Sequence, residues 1–458
     1  MRKFILALIG IATAAVSPAH ASGPASAERP RIIVLTDIGN EPDDSESFVR
    51  FLLYTDQFDV EGLIATTSVW QRDKVQPQLL HERIDAYEKV RPNLLRHSAT
   101  YPGAAALRAL VLPGQPLYGM AGVGKRRSTP ASRSIVAAVD RADTRPVWVL
   151  LWGGAVDLAQ ALRDVRATRT PAQVSAFVAK LRVYSISDQD DAGPWLRREF
   201  PNLFWIASIH GWGQYNLATW AGISSDRRNP EQWPDRDVVA DPWLETHVRR
   251  GPLGALYPLP EFIMEGDTPS FLHLIPNGLN DPEQPDQGGW GGRYMRAAPS
   301  GGLFADTKDS FTRDGRIWSS NQASVYRWRR AFQNDFAARM AWSVDATANH
   351  APVPVANGMP GLAPVRLRAK AGERVVLDAA GTGDPDGDTL DYSWWQYREV
   401  GGIPGQPAVE IADSGTPRAS FVAPAVKAAR EVHFILEVRD RGTPPITRYR
   451  RIIVEVQP

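Results

Sequence analysis

The chain has 458 residues, of which 43% are hydrophobic and 22% are charged, as in an ordinary soluble protein of two or three domains. Its formal net charge is +1 and it has no basic block suited to a nucleic-acid backbone, so a DNA or RNA polymer is not an expected partner. The chain contains no cysteine, which excludes disulfides, thiolate nucleophiles and thiolate metal ligands.

Residues 1–21 have the pattern of a cleaved secretory leader. Arg2 and Lys3 precede an apolar segment, and small residues surround a predicted cleavage after Ala21. The alternative, a membrane anchor, is disfavoured because the apolar run is shorter than the roughly 20 residues that span a bilayer. We therefore expect a secreted or periplasmic protein without integral membrane association, in which residues 22–30 form a linker.

Residues 31–44 predict a buried strand that ends in an acidic loop. Residues 32–35 are continuously apolar, as in a strand covered on both faces of a parallel sheet, and helical spacing begins after the loop. Ligands bind at the carboxyl ends of such strands, and carboxylates crowded there repel one another unless a cation is present, most simply Ca²⁺. The acids of this loop are Asp37, Glu41, Asp43 and Asp44.

A simpler alternative is that Asp43 or Asp44 caps the following helix, which would begin near Ser45. Capping does not account for Asp37, which stands directly at the end of the strand. A functional acidic cluster is therefore the favoured interpretation.

The same residues resemble the amino-terminal aspartate motif of nucleoside hydrolases, and residues 60–68 resemble the strand that follows this motif. The chain is still more similar to secreted bacterial nucleoside-hydrolase-like proteins, often labelled cellulose-binding, which share the segments 36–44, 208–215 and 265–271. This resemblance covers nearly the whole mature chain. It implies an α/β domain with an open, mainly parallel sheet.

Three further segments repeat the pattern of an apolar strand followed by a polar loop, at residues 144–162, 181–191 and 203–210. Their loops, and a later one, are rich in groups that bind sugars through hydroxyl contacts or ring stacking. Each such residue also has a structural alternative, because Asp and Asn form turns and most Trp residues are packed. The predicted substrate-binding residues are Asp43, Asp191, His210, Trp212, Asn216 and Trp290.

The resemblance also implies a calcium site and a role for its ligands. Asp37 would act as the general base on a metal-bound water, in the hydrolysis of an N-glycosyl or related glycosidic bond. The substrate would be a glycosylated small molecule or a polysaccharide. The implied Ca²⁺ ligands are Asp37, Asp43, Asp44, Asp267 and the main-chain carbonyl of Val156.

The chain departs from the nucleoside-hydrolase pattern at two positions. Gly266 stands where that family has a histidine that helps the base leave, and Leu35 stands in place of the first acid of its Asp-x-Asp pair. In addition, the segment between Asp37 and Asp43 is two residues longer than the corresponding segment of nucleoside hydrolases. The cation site is expected to be retained and nucleobase handling to be altered, with His210 or His81 as alternative acids unless they have only structural roles.

A rival hypothesis is a non-catalytic protein that uses the same pocket to bind cellulose or another polysaccharide. The identity of the sugar, the identity of the leaving group and homo-oligomerisation are left open.

The predicted first domain covers residues 31–348, and a proline-rich linker covers 349–362. Residues 363–458 contain short segments rich in β-branched and aromatic residues, which predict an all-β, immunoglobulin-like sandwich. Its Asp384–Asp388 turn resembles that of PKD-like and cadherin-like modules. A tight solvated turn is the favoured interpretation of this segment, and a calcium site is the alternative.

Overall fold

The computed structural model describes residues 28–210, 214, 217–219, 221–225, 233–403 and 405–458. Over these residues the chain forms two domains that are joined by a buried interface. The strands are β1 (Arg31–Thr36), β2 (Asp59–Ala65), β3 (Val111–Pro113), β4 (Val147–Leu151), β5 (Leu181–Ser185), β6 (Phe204–Ala207), β7 (Tyr294–Arg296), β8 (Leu303–Asp306), β9 (Asp309–Arg313), β10 (Arg316–Ser320), β11 (Val365–Lys370), β12 (Arg374–Asp378), β13 (Leu390–Gln396), β14 (Ile411–Ala412), β15 (Arg418–Val422), β16 (Arg430–Asp440) and β17 (Thr447–Gln457). The α-helices are α1 (Asp43–Leu52), α2 (Pro77–His97), α3 (Ala104–Ala109), α4 (Pro130–Asp140), α5 (Val156–Thr168), α6 (Pro171–Ala179), α7 (Ala192–Glu199), α8 (Asp241–His247), α9 (Gly251–Gly254), α10 (Thr268–Leu272), α11 (Ala323–Tyr326) and α12 (Arg329–Trp342).

The first domain is built on an eight-stranded sheet in the order β3-β2-β1-β4-β5-β6-β8-β7. Every pair in this sheet is parallel except β7 with β8. The predicted open, mainly parallel sheet is therefore confirmed, and the carboxyl ends of β1, β2, β4, β5 and β6 lie along one edge.

The central strand β1 supplies apolar side chains to both faces of this sheet. Ile32 and Val34 belong to one hydrophobic cluster, and Ile33 and Leu35 belong to a second cluster on the opposite face. This alternation follows from strand geometry, in which successive side chains point to opposite faces. Helices cover both faces, which explains why the strand is continuously apolar. Within the described part of the chain, no helix has the length and the apolar character needed to cross a bilayer.

The second domain consists of two sheets, in the orders β11-β17-β16-β13 and β12-β15-β14. They enclose a third hydrophobic cluster, in which the rings of Phe421 and Phe434 stack with centroids 4.1 Å apart. The predicted all-β second domain is thus confirmed. The first strand of this domain, β11, begins at Val365, and residues ahead of it already contact the domain, since Asn349 Nδ2 donates to Asp440 Oδ1 at 3.1 Å.

A buried cluster of charges at Asp309 joins the two domains. The Asp309 side chain has no solvent exposure, and it accepts hydrogen bonds from Arg293 Nε at 2.5 Å and from Arg327 at 2.9 Å. Tyr397 of the second domain donates its hydroxyl to the same carboxylate at 2.6 Å. Because a buried charge is costly unless it is paired, this carboxylate needs all three donors.

We therefore expect Asp309→Asn to destabilise the whole chain. The substitution removes the counter-charge of buried Arg293 and leaves Arg327 with the more distant Glu399 at 3.7 Å, which costs about 3–5 kcal/mol. Thermal melting followed by circular dichroism is the measurement, with Arg366→Gln as the control, because Arg366 forms an exposed pair with Glu431 worth about 1 kcal/mol at most. Equal melting temperatures for the two variants would contradict the role of the Asp309 cluster.

Candidate functional site

The acidic loop after β1 turns sharply before helix α1 begins. Ile38 donates its main-chain N–H to Thr36 Oγ1 at 3.1 Å, and Thr36 donates its hydroxyl to Asp44 Oδ1. Gly39 has a φ of +104°, and a Cβ at this position would lie 2.2 Å from Gln76 Nε2. Only glycine fits this turn, which brings the start of α1 back against the end of β1.

Helix α1 begins at Asp43, and its N-cap is Pro42, which forms no side-chain cap hydrogen bond. Asp43 and Asp44 therefore lie in the first turn of the helix and neither occupies the cap position, in contrast to the capping alternative. The amino-terminal end of the helix dipole favours negative charge at this place.

Asp267 approaches these two residues from the start of helix α10. One carboxylate oxygen each of Asp43, Asp44 and Asp267 lies within 4.8 Å of the other two. Asp267 is only 2% exposed, and its Oδ2 has no hydrogen-bond partner among the described residues. Since an orphaned buried carboxylate oxygen is costly, its position in a group of carboxylates suits a cation ligand.

Asp37 lies beside this group and is fixed by the loop after β2. Ser68 donates its hydroxyl to Asp37 Oδ2, and Gln71 Nε2 donates to the Asp37 carbonyl at 3.1 Å. On the other side, a Cβ at Gly153 would lie 3.0 Å from Asp37 Oδ1. Asp37 is thus held between the loops after β2 and β4.

Burial raises the pKa of all four aspartates, and mutual repulsion adds to it. The pKa of Asp37 rises to about 6 and that of Asp43 to about 7, in each case mainly through desolvation. The pKa values of Asp44 and Asp267 are raised well above their ordinary range by burial and by the neighbouring aspartates. The residues therefore offer an oxygen-only donor set in need of positive charge, which fits a hard divalent cation.

A buried ion pair holds the turn that carries Asp267. Arg50 Nε lies 2.6 Å from Glu265 Oε2, and neither side chain has any solvent exposure. Glu265 also accepts hydrogen bonds from the hydroxyls of Tyr257 at 2.8 Å and Thr268 at 2.7 Å. Glu265 has a φ of +52°, a conformation that these contacts stabilise two residues ahead of Asp267.

Gly266, between these two acids, packs directly against the site. A Cβ at this position would lie 2.5 Å from Asp43 Oδ2. A side chain at position 266 would therefore require the Asp43 carboxylate to move from its observed position.

The structure describes four of the six predicted substrate-binding residues, and Asp43 is the one that belongs to the carboxylate group. Asp191 is exposed and accepts a hydrogen bond from the Met120 main chain at 2.8 Å, and His210 is half-buried just after β6. Trp212 and Asn216 lie outside the described residues.

The prediction for Trp290 is corrected by the structure. Its ring has no solvent exposure and its Nε1 donates to the hydroxyl of Tyr449 in the second domain at 3.3 Å. A ring that is enclosed in this way cannot stack on a sugar in this conformation. Trp290 packs at the domain interface.

Val156 is the first residue of helix α5 and follows directly after the glycine turn at the end of β4. Its side chain is buried. Gly153 is the residue of this turn that packs against Asp37. The Val156 carbonyl as a cation ligand stays a prediction.

Sequence reasoning missed the residues that support Asp37 from the neighbouring strand. Ser68 and Gln71 follow β2, which pairs with β1, so the carboxyl ends of both strands share an edge. That adjacency is the signal that could have identified them. The same loop carries Trp70, which donates its main-chain N–H to Ser68 Oγ at 3.0 Å and whose side chain is about half exposed.

Comparison with known proteins gives two family matches. Residues 31–294 match the model of the nucleoside hydrolase-like domain of the cellulose-binding protein Sde182, and residues 374–456 match the model of the C-terminal domain of cellulose-binding protein Sde0182. Among solved structures, the chain is similar to a nucleoside hydrolase-related hypothetical protein from Saccharophagus degradans that is associated with carbohydrate metabolism. The two are 38% identical with a TM-score of 0.79, over 94% of this chain and 100% of the other.

Two further likenesses are confined to a small part of the chain. The PKD domain from KIAA 1837 protein is 17% identical with a TM-score of 0.16, over 22% of this chain and 86% of that domain. Human CDH23 EC21-23 is 16% identical with a TM-score of 0.17, over 23% of this chain and 33% of the other. No curated protein matches the chain significantly in sequence.

The raised pKa values predict how the stability of the metal-free protein depends on pH. An aspartate whose pKa is higher in the folded chain stabilises the fold below its unfolded pKa, near 4, and this contribution is lost as pH rises through the folded values. For Asp37, a change from 3.8 to about 6 corresponds to about 3 kcal/mol. We expect the melting temperature without divalent cations to fall between pH 5 and pH 8, and added CaCl₂ to restore it at pH 8.

In Asp267→Asn, the melting temperature measured by calorimetry should fall less between pH 5 and pH 8 than in the unmodified chain, because one of the repelling charges is removed. Asp73→Asn, which changes an exposed acid in the loop after β2, is the control and should behave like the unmodified chain. A fall of the same size in both variants would mean that the pH dependence arises elsewhere.

Proposed function

The chain belongs to the Sde182 family of cellulose-binding proteins with a nucleoside-hydrolase-like domain, and from this we propose a Ca²⁺-dependent hydrolase of an N-glycosyl or related glycosidic bond. The observation that carries the proposal is the group of Asp43, Asp44 and Asp267, with its orphaned buried oxygen. The predicted secretory leader is the reason to propose that it acts outside the cytoplasm.

In this proposal Asp37, Asp43, Asp44 and Asp267 hold the ion, together with the predicted Val156 carbonyl. Bound Ca²⁺ supplies positive charge that neutralises the aspartates and acts as a Lewis acid on oxygen ligands.

Asp37 is proposed as the general base. Bound Ca²⁺ would keep this carboxylate ionised, and an ionised carboxylate beside the ion can accept a proton from a bound water. Ser68 and Gln71 fix its side chain and its main chain, respectively, so that the accepting oxygen is held in one orientation.

The remaining groups of the site are proposed to bind the sugar. Asp43 accepts hydrogen bonds from sugar hydroxyls, and Asp191 and His210 extend the polar surface toward the rest of the substrate. The carboxylates also stabilise the positive charge that develops on the sugar ring as the leaving group departs.

A second candidate is polysaccharide binding without turnover. The matched family models of both domains are described as cellulose-binding, which favours this function. In addition, Trp70 is the one tryptophan of the described residues with more than a third of its side chain exposed, and its loop contacts Asp37 through Ser68. An exposed indole of this kind is suited to stacking on a sugar ring.

The first prediction of this proposal concerns the ion and turnover. Calorimetric titration of CaCl₂ should show about one tight site per chain, which is lost in Asp267→Asn and weakened at least about tenfold in Asp37→Asn, because each variant removes one negative oxygen ligand. Nucleosides and aryl glycosides are then assayed for hydrolysis, and Asp37→Asn should reduce kcat by a factor of about 10² or more as the base is lost.

Asp386→Asn is the matched control, since Asp384, Asp386 and Asp388 form the other group of carboxylates within 4.8 Å of one another in the described chain. If calcium binding is lost in the control and kept in Asp267→Asn, the ion belongs to the second domain and the proposal is wrong. If calcium binds as expected and every substrate remains intact, the second candidate takes its place.

The second prediction concerns glycan binding. Trp70→Ala should weaken binding of cellohexaose and of microcrystalline cellulose by about 1–2 kcal/mol, through loss of ring stacking, while calcium binding is unchanged. Trp70→Phe should recover part of this loss. Pull-down on cellulose and titration with cellohexaose are the measurements, and Trp318→Ala, at a half-buried tryptophan of β10, is the control. Equal losses in the two alanine variants would exclude a specific role for Trp70.

A further inference from the structure

A pair of histidines meets where helix α2, the interdomain segment and the second domain come together. His97 Nδ1, in the last turn of α2, lies 3.0 Å from His350 Nε2. Both rings pack against Trp342 of α12, with centroid distances of 5.0 Å for His97 and 5.3 Å for His350. The two imidazoles are therefore held in place by an aromatic wall, far along the chain from the carboxylate site.

The outward-facing nitrogen of each ring contacts an oxygen acceptor. His97 Nε2 lies 2.7 Å from the main-chain carbonyl oxygen of Asp345, and a carbonyl can only accept. His350 Nδ1 lies 3.0 Å from Asp386 Oδ1, and the same carboxylate accepts the His350 main-chain N–H at 2.6 Å. An ionised carboxylate also only accepts, so both outward nitrogens carry the ring hydrogen.

These contacts fix the state of the two nitrogens that face each other. A neutral imidazole carries one hydrogen, and here it is committed to the outward side of each ring. His97 Nδ1 and His350 Nε2 therefore present two lone pairs to each other at 3.0 Å. Two lone pairs repel at this distance, so the contact requires a cation between the rings, either a proton that the two nitrogens share or a metal ion that both ligate.

We propose that His97 and His350 form a binding site for a divalent transition-metal ion of the Zn²⁺ class, with His97 Nδ1 and His350 Nε2 as ligands and water completing the coordination shell. Histidines that ligate a metal usually donate their other N–H to a carboxylate or a carbonyl, and both rings do so here. Tetrahedral coordination at Zn–N distances of about 2.0–2.1 Å separates two ligand nitrogens by about 3.3 Å, close to the 3.0 Å observed here.

The class of ion follows from the donors. Imidazole nitrogen selects zinc, copper or nickel, whereas the oxygen-only group at the sheet edge selects a hard cation such as Ca²⁺. The His350 side chain is 30% exposed, so an ion and its waters can reach the pair from solvent. The bound ion would link His97 of α2 to His350 of the interdomain segment. Asp386 of the second domain fixes the His350 ring through its other nitrogen. This site is independent of the proposed hydrolase and binding activities.

Titration calorimetry of ZnCl₂ into the metal-stripped full chain tests the proposal, in excess CaCl₂ so that the carboxylate group is occupied. We expect about one zinc ion per chain, lost in His97→Ala and in His350→Ala. Asp386→Asn should weaken binding by about tenfold, since it removes the carboxylate that orients His350. His247→Ala, at a half-exposed histidine of α8, is the matched control and should bind as the unmodified chain does.

Circular dichroism checks that the variants fold, and His350→Gln replaces His350→Ala if the latter does not. The visible absorption of bound Co²⁺ gives a second readout, because its intensity and position report imidazole ligands. Zinc binding of equal strength in the His97 and His247 variants would overturn the proposal. So would a chain that binds no zinc, in which case the pair shares a proton only.

Discussion

Repulsion among buried carboxylates is the constraint on which the rest of the site depends. Asp43, Asp44 and Asp267 are brought together from two helix starts, and desolvation penalises the charge on each of them. The fold resists this repulsion with short-range restraints, which include the Thr36 hydroxyl on Asp44 and the Arg50 pair with Glu265. A buried ion pair alone adds little net stability, but here it fixes the backbone next to Asp267.

The sheet supplies the rigid frame for these restraints. Strand β1 is buried on both faces and contributes alternate side chains to two hydrophobic clusters, so its carboxyl end is held from both sides. The second domain attaches through a separate buried cluster at Asp309 and Tyr397. Among the described residues, the carboxylate group is built from the first domain alone. The second domain therefore contributes no carboxylate to this group among the described residues.

The parts of the site that the sequence could predict are local. The apolar run and the acids of residues 31–44 belong to one strand and one loop, and periodicity is sufficient to place them. The contact of Ser68 with Asp37 follows from the pairing of β1 with β2. The contact of Arg50 with Glu265 joins positions 215 residues apart, and a single sequence has no signal for such a contact. The burial of Trp290 likewise has no signal in a single sequence, because it depends on the docking of Tyr449 from the second domain.

The close approach of Gly266 to Asp43 also limits the chemistry of the site. A side chain at position 266 and the observed carboxylate of Asp43 would occupy the same space, since a Cβ there would lie 2.5 Å from Oδ2. Gly266 itself carries no proton donor, and a side chain at this position would require the Asp43 carboxylate to move from its observed place. In the proposed hydrolysis, the leaving group either departs without a donor from this turn, which would restrict the reaction to good leaving groups, or takes its proton from another loop at the same edge. The absence of a proton donor at position 266, beside acids suited to a cation, is the reason that sugar binding without turnover rivals the proposed hydrolysis.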